Sequence, residues 1–145
     1  MIWLLRHAEA EEGEPDEERA LTEQGERDAR AAGEALVRLG VEVDACVTSP
    51  KKRALQTAEL ACEPFEVEPD EDERLAEGPF DPREVAGDRG QNVLLVGHDP
   101  DFSLAVNNMT GAQVRLKKAS LAAVDRGELK ALLRPSEINA LADAT

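Results

Sequence analysis

Two stretches of this chain share one design. Ile2-Trp3-Leu4-Leu5 runs directly into Arg6-His7, and Val93-Leu94-Leu95-Val96 runs into Gly97-His98. A four-residue apolar run with β-forming residues, cut off abruptly by a polar or cationic one, is the pattern of a strand buried on both faces of a parallel sheet. Such a strand delivers the residues that follow it to the sheet's carboxyl edge, where open α/β sheets bind their ligands. The chain has only two histidines, and both occupy this position. A core histidine satisfied by a backbone carbonyl is the ordinary alternative for either one alone. Its repetition points to a site.

The remaining pattern alternates strand and helix, without internal repeats or an interdomain linker. Ala8 to Ala20 is an acidic loop broken by Gly13 and Pro15. Thr22 then caps a helix to about Leu39, which Gly40 stops. Ala29, Ala32, Gly33 and Leu36 share one face of that helix, a packing stripe opposite Glu26, Arg27, Arg30 and Glu34. Val43 to Thr48 reads as the second strand. Ser49-Pro50 follows in the order of a hydroxyl cap and a proline at the first helical position, opening a helix to about Cys62. Asp99-Pro100 repeats the device before a helix reaching toward Met109. Between them, the Pro-, Gly- and acid-rich stretch from Pro64 to Gly90 predicts a short strand near Phe65 to Glu68 and a helical turn near Asp81 to Ala86. Ser120 to Val124, the turn Asp125-Arg126-Gly127 and Leu129 to Leu133 read as an antiparallel hairpin at the sheet's edge. The expectation is a three-layer α/β/α fold, one domain over residues 1–145, with a mainly parallel central sheet.

Composition removes several function classes. A formal charge of −14, with three Phe, one Trp and no Tyr, leaves neither the clustered cations nor the stacking rings that nucleic acid requires. Anionic membranes are disfavoured by the same charge. The apolar run before Arg6 is shorter than the roughly 7–15-residue core of a signal peptide, and no stretch is long enough to cross a bilayer, so a cytoplasmic location is expected. Cys46 and Cys62 have neither metal-binding spacing nor the density of a disulfide scaffold, and read as buried free thiols, with their pairing left open. Two histidines without a third ligand at a recognisable spacing make a metal site a poor reading.

The chemistry gathers at the strand ends. Arg6 and His7 leave the first strand, Arg53 lies about one turn into the second helix, and His98 leaves the later strand. Together they would form a cationic pocket, and helix N-termini beside it would add unpaired N–H groups and dipole charge. Phosphate is the natural occupant. Neighbouring guanidinium groups disfavour imidazolium, which would keep His7 neutral and nucleophilic at pH 7. For Arg53 alone, a surface residue paired with Glu59 or with solvent is the plain alternative.

Four blocks of the sequence resemble the histidine phosphatase superfamily, which includes the phosphoglycerate mutases. They are Leu5-Arg6-His7-Ala8, Leu21-Thr22-Glu23-Gln24-Gly25, Ser49-Pro50-Lys51-Lys52-Arg53-Ala54-Leu55-Gln56-Thr57-Ala58 and Val96-Gly97-His98-Asp99-Pro100. The short chain, with Lys118-Ala119-Ser120-Leu121 and Leu132-Leu133-Arg134-Pro135, is similar to the SixA-like phosphohistidine phosphatases. The resemblance implies that His7 attacks phosphorus and becomes phosphohistidine, that Arg6, Arg53 and a protonated His98 hold the phosphoryl oxygens, and that water then releases phosphate. It implies no metal ion and no cofactor. Thr22 reads first as a cap, and Gly25 as the residue that lets its helix lie close to the sheet.

Glu77, in Arg74-Leu75-Ala76-Glu77-Gly78, resembles the segment that supplies a proton donor in the mutases and ester-cleaving relatives; by itself it is one exposed carboxylate among many. The acidic segments Glu9–Glu18 and Asp70–Glu73 read either as solvated faces or as a negative rim that would favour a phosphoryl group carried on a protein. Partners expected on this basis are a phosphorylated protein or, on the same fold, a small phosphorylated molecule cleaved by an ester phosphatase or mutase. A non-catalytic phosphate-binding domain fits poorly with a complete set of His7, Arg6, Arg53 and His98.

Overall fold

A computed structural model describes residues 1–144. The two matched apolar runs become β1 (Ile2–Arg6) and β4 (Val93–Gly97), adjacent parallel strands in register from Ile2 opposite Val93 to Arg6 opposite Gly97. With β2 (Ala45–Thr48), β3 (Asp70–Glu71), β5 (Leu121–Asp125) and β6 (Glu128–Leu133) they form one six-stranded sheet in the order β3-β2-β4-β1-β5-β6. The first four strands are parallel, and the β5–β6 hairpin adds to β1 antiparallel. Its turn suits the chemistry of Arg126 and Gly127, both at positive φ (51° and 75°). This is the α/β sheet with a C-terminal hairpin that the alternation predicts.

Strand pleating sorts the core into two layers. Trp3 and Leu5 of β1 and Leu94 and Val96 of β4 face α1 (Glu23–Arg38), α2 (Lys52–Cys62) and α5 (Pro135–Ala142). Leu4, Val93 and Leu95 face the other way, onto α3 (Pro82–Ala86) and α4 (Asp101–Thr110), where Phe102 fills the centre. Thr22 caps α1 by accepting the Gly25 N–H (3.0 Å), and the predicted stripe of Ala29, Ala32, Gly33 and Leu36 is buried. Cys46 and Cys62 are free and buried; the hydrogen bond between them, with burial, pushes the Cys46 thiol well above its usual range. No helix among the described residues is long and apolar enough to cross a membrane.

Several local expectations are corrected. Ser49-Pro50 does not cap α2, which begins at Lys52 after an extended Lys51; the Ser49 hydroxyl accepts the Lys51 N–H (3.2 Å) and meets a histidine instead. Asp99 does receive a first-turn N–H, from Ser103 (3.0 Å), although α4 starts at Asp101. The strand expected at Phe65 to Glu68 lies at Asp70–Glu71, because Phe65 closes a 3-10 turn that ends with Glu66 in the left-handed region (φ 54°). Gly25 faces the carbonyl oxygen of Glu9, not the sheet: a Cβ there would collide with that loop.

Candidate active site

The carboxyl ends of β1, β4 and β2 are stitched together by backbone. The His7 N–H donates to the Gly97 carbonyl (2.9 Å), and the Ser49 N–H donates to the Val96 carbonyl (3.0 Å). His7 and His98 therefore lie side by side, their ring centroids 5.2 Å apart. Around them opens a cleft of about 380 Å³ lined also by Arg6, Arg53, Arg19, Lys51, Lys118, Glu77, Asp99 and Asp101. Five cations against three carboxylates make it locally positive in a chain of charge −14.

The nucleophile reading of His7 depends on which nitrogen is free. Its Nδ1 lies 2.8 Å from the Ala8 carbonyl oxygen. A carbonyl can only accept, so that contact assigns the proton to Nδ1 and leaves the lone pair on Nε2. Burial is the main reason its pKa falls, to about 4; the charges of Arg53, Arg6 and Lys118 lower it further, against the Ala8 hydrogen bond. His98 is pushed down to about 3, by burial first and then by His7, Arg53 and Lys51. Its Nε2 lies 2.8 Å from the Ser49 hydroxyl. In the free cleft burial, ahead of the charges of Arg53 and Lys51, therefore favours the neutral imidazole of His98.

Arg53 is 7% exposed, and neither Glu59 nor solvent is its partner. Its Nη1 donates to the Asp16 carbonyl (2.9 Å) and its Nη2 to the Asp16 carboxylate (3.2 Å), while the other carboxylate oxygen of Asp16 accepts from Arg19 (3.1 Å). Arg6 donates from Nη1 to the Leu116 carbonyl (2.9 Å), and its buried Nε has no protein partner. Such an orphan donor beside an anion cleft is a reason to expect a ligand there. Glu77 reaches the cleft too, on a loop held by the Gly78 N–H donating to the Asp101 carboxylate (3.1 Å).

All five residues singled out from the sequence thus meet in one cleft. Arg19, Lys51 and Lys118 join them without having been singled out. Arg19 is the only cation between His7 and Leu21, a signal that an acidic run should have raised. Lys118 is brought in because the Ala119 N–H bonds the carbonyls of Arg6 and His7 (3.1 Å each), with Ala119 at φ 62°. The two acidic runs supply none of the lining carboxylates, which are Glu77, Asp99 and Asp101.

An α/β protein whose sheet edge carries paired imidazoles among fixed cations belongs to the class built to hold a phosphoryl-like anion. The histidine phosphatase superfamily (branch 1) matches residues 2–92, and the chain belongs to that superfamily of phosphatases and mutases. His98 lies just beyond the matched span. Over 92% of its length the chain is similar in structure to a protein from Agrobacterium tumefaciens provisionally assigned as the phosphohistidine phosphatase SixA, of which it covers 97% (24% identity, TM-score 0.81). The protein histidine phosphatase SixA complexed with tungstate is matched over 93% of this chain and 97% of that one (19% identity, TM-score 0.80). The α-ribazole phosphatase of Shigella flexneri is matched over 92% and 94% (18% identity, TM-score 0.70). At these identities the likeness is one of fold.

Proposed function

We propose that residues 1–145 act as one domain that hydrolyses phosphohistidine, carried on a protein, through a phosphoryl group held transiently on His7. No metal ion or cofactor takes part, and the reaction belongs to the cytoplasm. The observation that carries this reading is the committed Nδ1 proton of His7, which leaves its Nε2 lone pair in a cleft lined by Arg6, Arg53 and His98. That lone pair attacks phosphorus opposite the leaving group. The bond from phosphorus to the substrate's nitrogen breaks, its electron pair stays on that nitrogen, and a proton comes from solvent. Water next attacks the phosphoryl group on His7, the P–N bond breaks with its pair returning to Nε2, and the water's proton leaves with phosphate. Arg6 and Arg53 hold the non-bridging oxygens, where the transition state spreads its charge. A neutral His98 serves first as a hydrogen-bond donor, and the arriving anion favours its protonation. The fold likeness to the SixA structures, with TM-scores of 0.80 and 0.81 against 0.70 for the α-ribazole phosphatase, supports the phosphohistidine branch.

One observation favours a second reading. Glu77 lines the same cleft, as a proton donor for an ester's leaving oxygen would. The test is a turnover panel of phosphohistidine protein, phosphoramidate and several phosphate esters, run with divalent metal and with chelator, together with trapping of the adduct under alkaline conditions that spare phosphoramidates. We expect phosphohistidine to turn over fastest, with chelator inert and label on His7. Arg53→Ala and His98→Ala should each lose at least about a hundredfold. Faster turnover of an ester would favour the second reading, and activity that requires a divalent ion would end the first.

A further inference from the structure

We infer that Thr57 is a positioning residue for the His7 imidazole, acting through the Ala8 backbone. The inference rests on the reading of His7 as nucleophile. Thr57 is fully buried on α2, one turn beyond Arg53, and its hydroxyl does two things at once. It accepts the Ala8 N–H (3.0 Å) and donates to the Arg53 carbonyl (2.7 Å). The donation is the familiar back-bond of a helical threonine to the residue four earlier, which fixes the hydroxyl's hydrogen and turns a lone pair outward. Ala8 closes the chain of contacts, since its carbonyl accepts from His7 Nδ1 (2.8 Å). Both peptide groups of Ala8 are therefore held, one by Thr57 and the other by the imidazole.

This arrangement makes α2 do more than carry Arg53. The tautomer of His7 depends on where the Ala8 carbonyl points, and Thr57 restrains the adjacent peptide. Ala8 itself is fully buried, so in the isosteric Thr57→Val no water can take the place of the hydroxyl without displacing protein. Loss of the hydroxyl leaves a buried N–H without a partner, and the Ala8 segment must shift to find one. The imidazole then loses its fixed acceptor, samples both tautomers and departs from in-line geometry. The cations are less affected, because Arg6 is set by β1 and the Leu116 carbonyl, and Arg53 by Asp16.

The experiment compares Thr57→Val, Thr57→Ala and Thr57→Ser with the wild type. Thr57→Val and Thr57→Ala should lower kcat by about 10- to 100-fold, the scale of a misplaced reacting group, with KM and inhibition by vanadate changed less than about threefold. Thr57→Ser keeps the hydroxyl and should restore most of kcat. With only two histidines in the chain, the imidazole nitrogens can be resolved by NMR. His7 should change from one tautomer to a mixture in the Val and Ala variants while His98 keeps its wild-type pattern. Should the Val variant not fold, the Ala variant carries the same expectation. Wild-type kcat without the hydroxyl, an unchanged His7 tautomer, or equal losses in the Ser variant would each overturn the inference. His7→Ala separates it from the underlying reading: activity retained there refutes the nucleophile itself, whereas an inactive His7→Ala beside an unaffected Thr57→Val refutes only the positioning role.

Discussion

Burial, ahead of neighbouring charge, is what lowers the His7 and His98 pKa values. Glu77 is exposed and lines the same cleft, so its use depends on what must leave. An alkyl alcohol departs poorly as an alkoxide and gains about 10²–10⁴-fold from a positioned acid. The imidazole of a phosphohistidine leaves as a nitrogen base that takes its proton from water. Glu77→Gln should therefore leave phosphohistidine turnover nearly unchanged while depressing any activity on alkyl phosphates. The quantity to measure is the ratio of the two effects in one variant, which cancels changes in folding and in the shared cleft. Equal losses on both substrates would mark Glu77 as structural.

At the scale of elements, α2 joins the core to the cleft. Gly33 of α1 faces the Ala61 carbonyl oxygen of α2 so closely that an added Cβ cannot fit without separating the helices. Gly33→Ala should cost about 1–3 kcal/mol, as overpacking does, a melting-temperature fall of roughly 3–10 °C for a chain of this size. Because α2 bears Arg53, kcat/KM should drop with it. The exposed neighbour Glu34→Ala should change stability by less than about 0.5 kcal/mol, and calorimetry of both variants checks the contrast. The elements legible in the sequence are those whose side chains set them: β1 and β4 end where apolar runs meet Arg6 and Gly97, and α1 runs from its threonine cap to Gly40 (φ 76°). Illegible were the elements made by partners. β3 is two exposed acids paired by backbone to Val47 and Thr48, with no apolar pattern to announce it. α5 went unread past Pro135, its capping box built from Arg134 and Glu137. In the cleft, Arg6, His7 and His98 are announced by the strands they follow, Arg53 by its place on the helix after β2 and Glu77 by the resemblance, whereas nothing in the pattern singles out Arg19, Lys51 or Lys118 among the chain's other cations.

For the molecule as a whole, the two histidines tie stability to pH. In the unfolded chain an imidazole titrates near 6.5, whereas folded His7 and His98 titrate near 4 and 3. Above about pH 6.5 both states hold them neutral, and they add no slope. Below it the unfolded chain binds protons that the folded chain refuses, so stability falls as pH drops toward 4. Denaturant unfolding should give a shallower slope between pH 6.5 and 4.5 for the His7→Asn, His98→Asn double variant than for the wild type; an unchanged slope would mean that the carboxylates dominate. The sheet order has a separate consequence. β1 and β4 are flanked by paired strands on both sides, unlike the edges β3 and β6. Backbone that is paired on both sides and covered by two core layers is the last to open in local unfolding. The histidines are thus rooted in what should be the slowest-exchanging amides of the protein. Adaptation to an incoming substrate then falls to the loops around the cleft, such as the one that carries Glu77, while the backbone under the two imidazoles stays still.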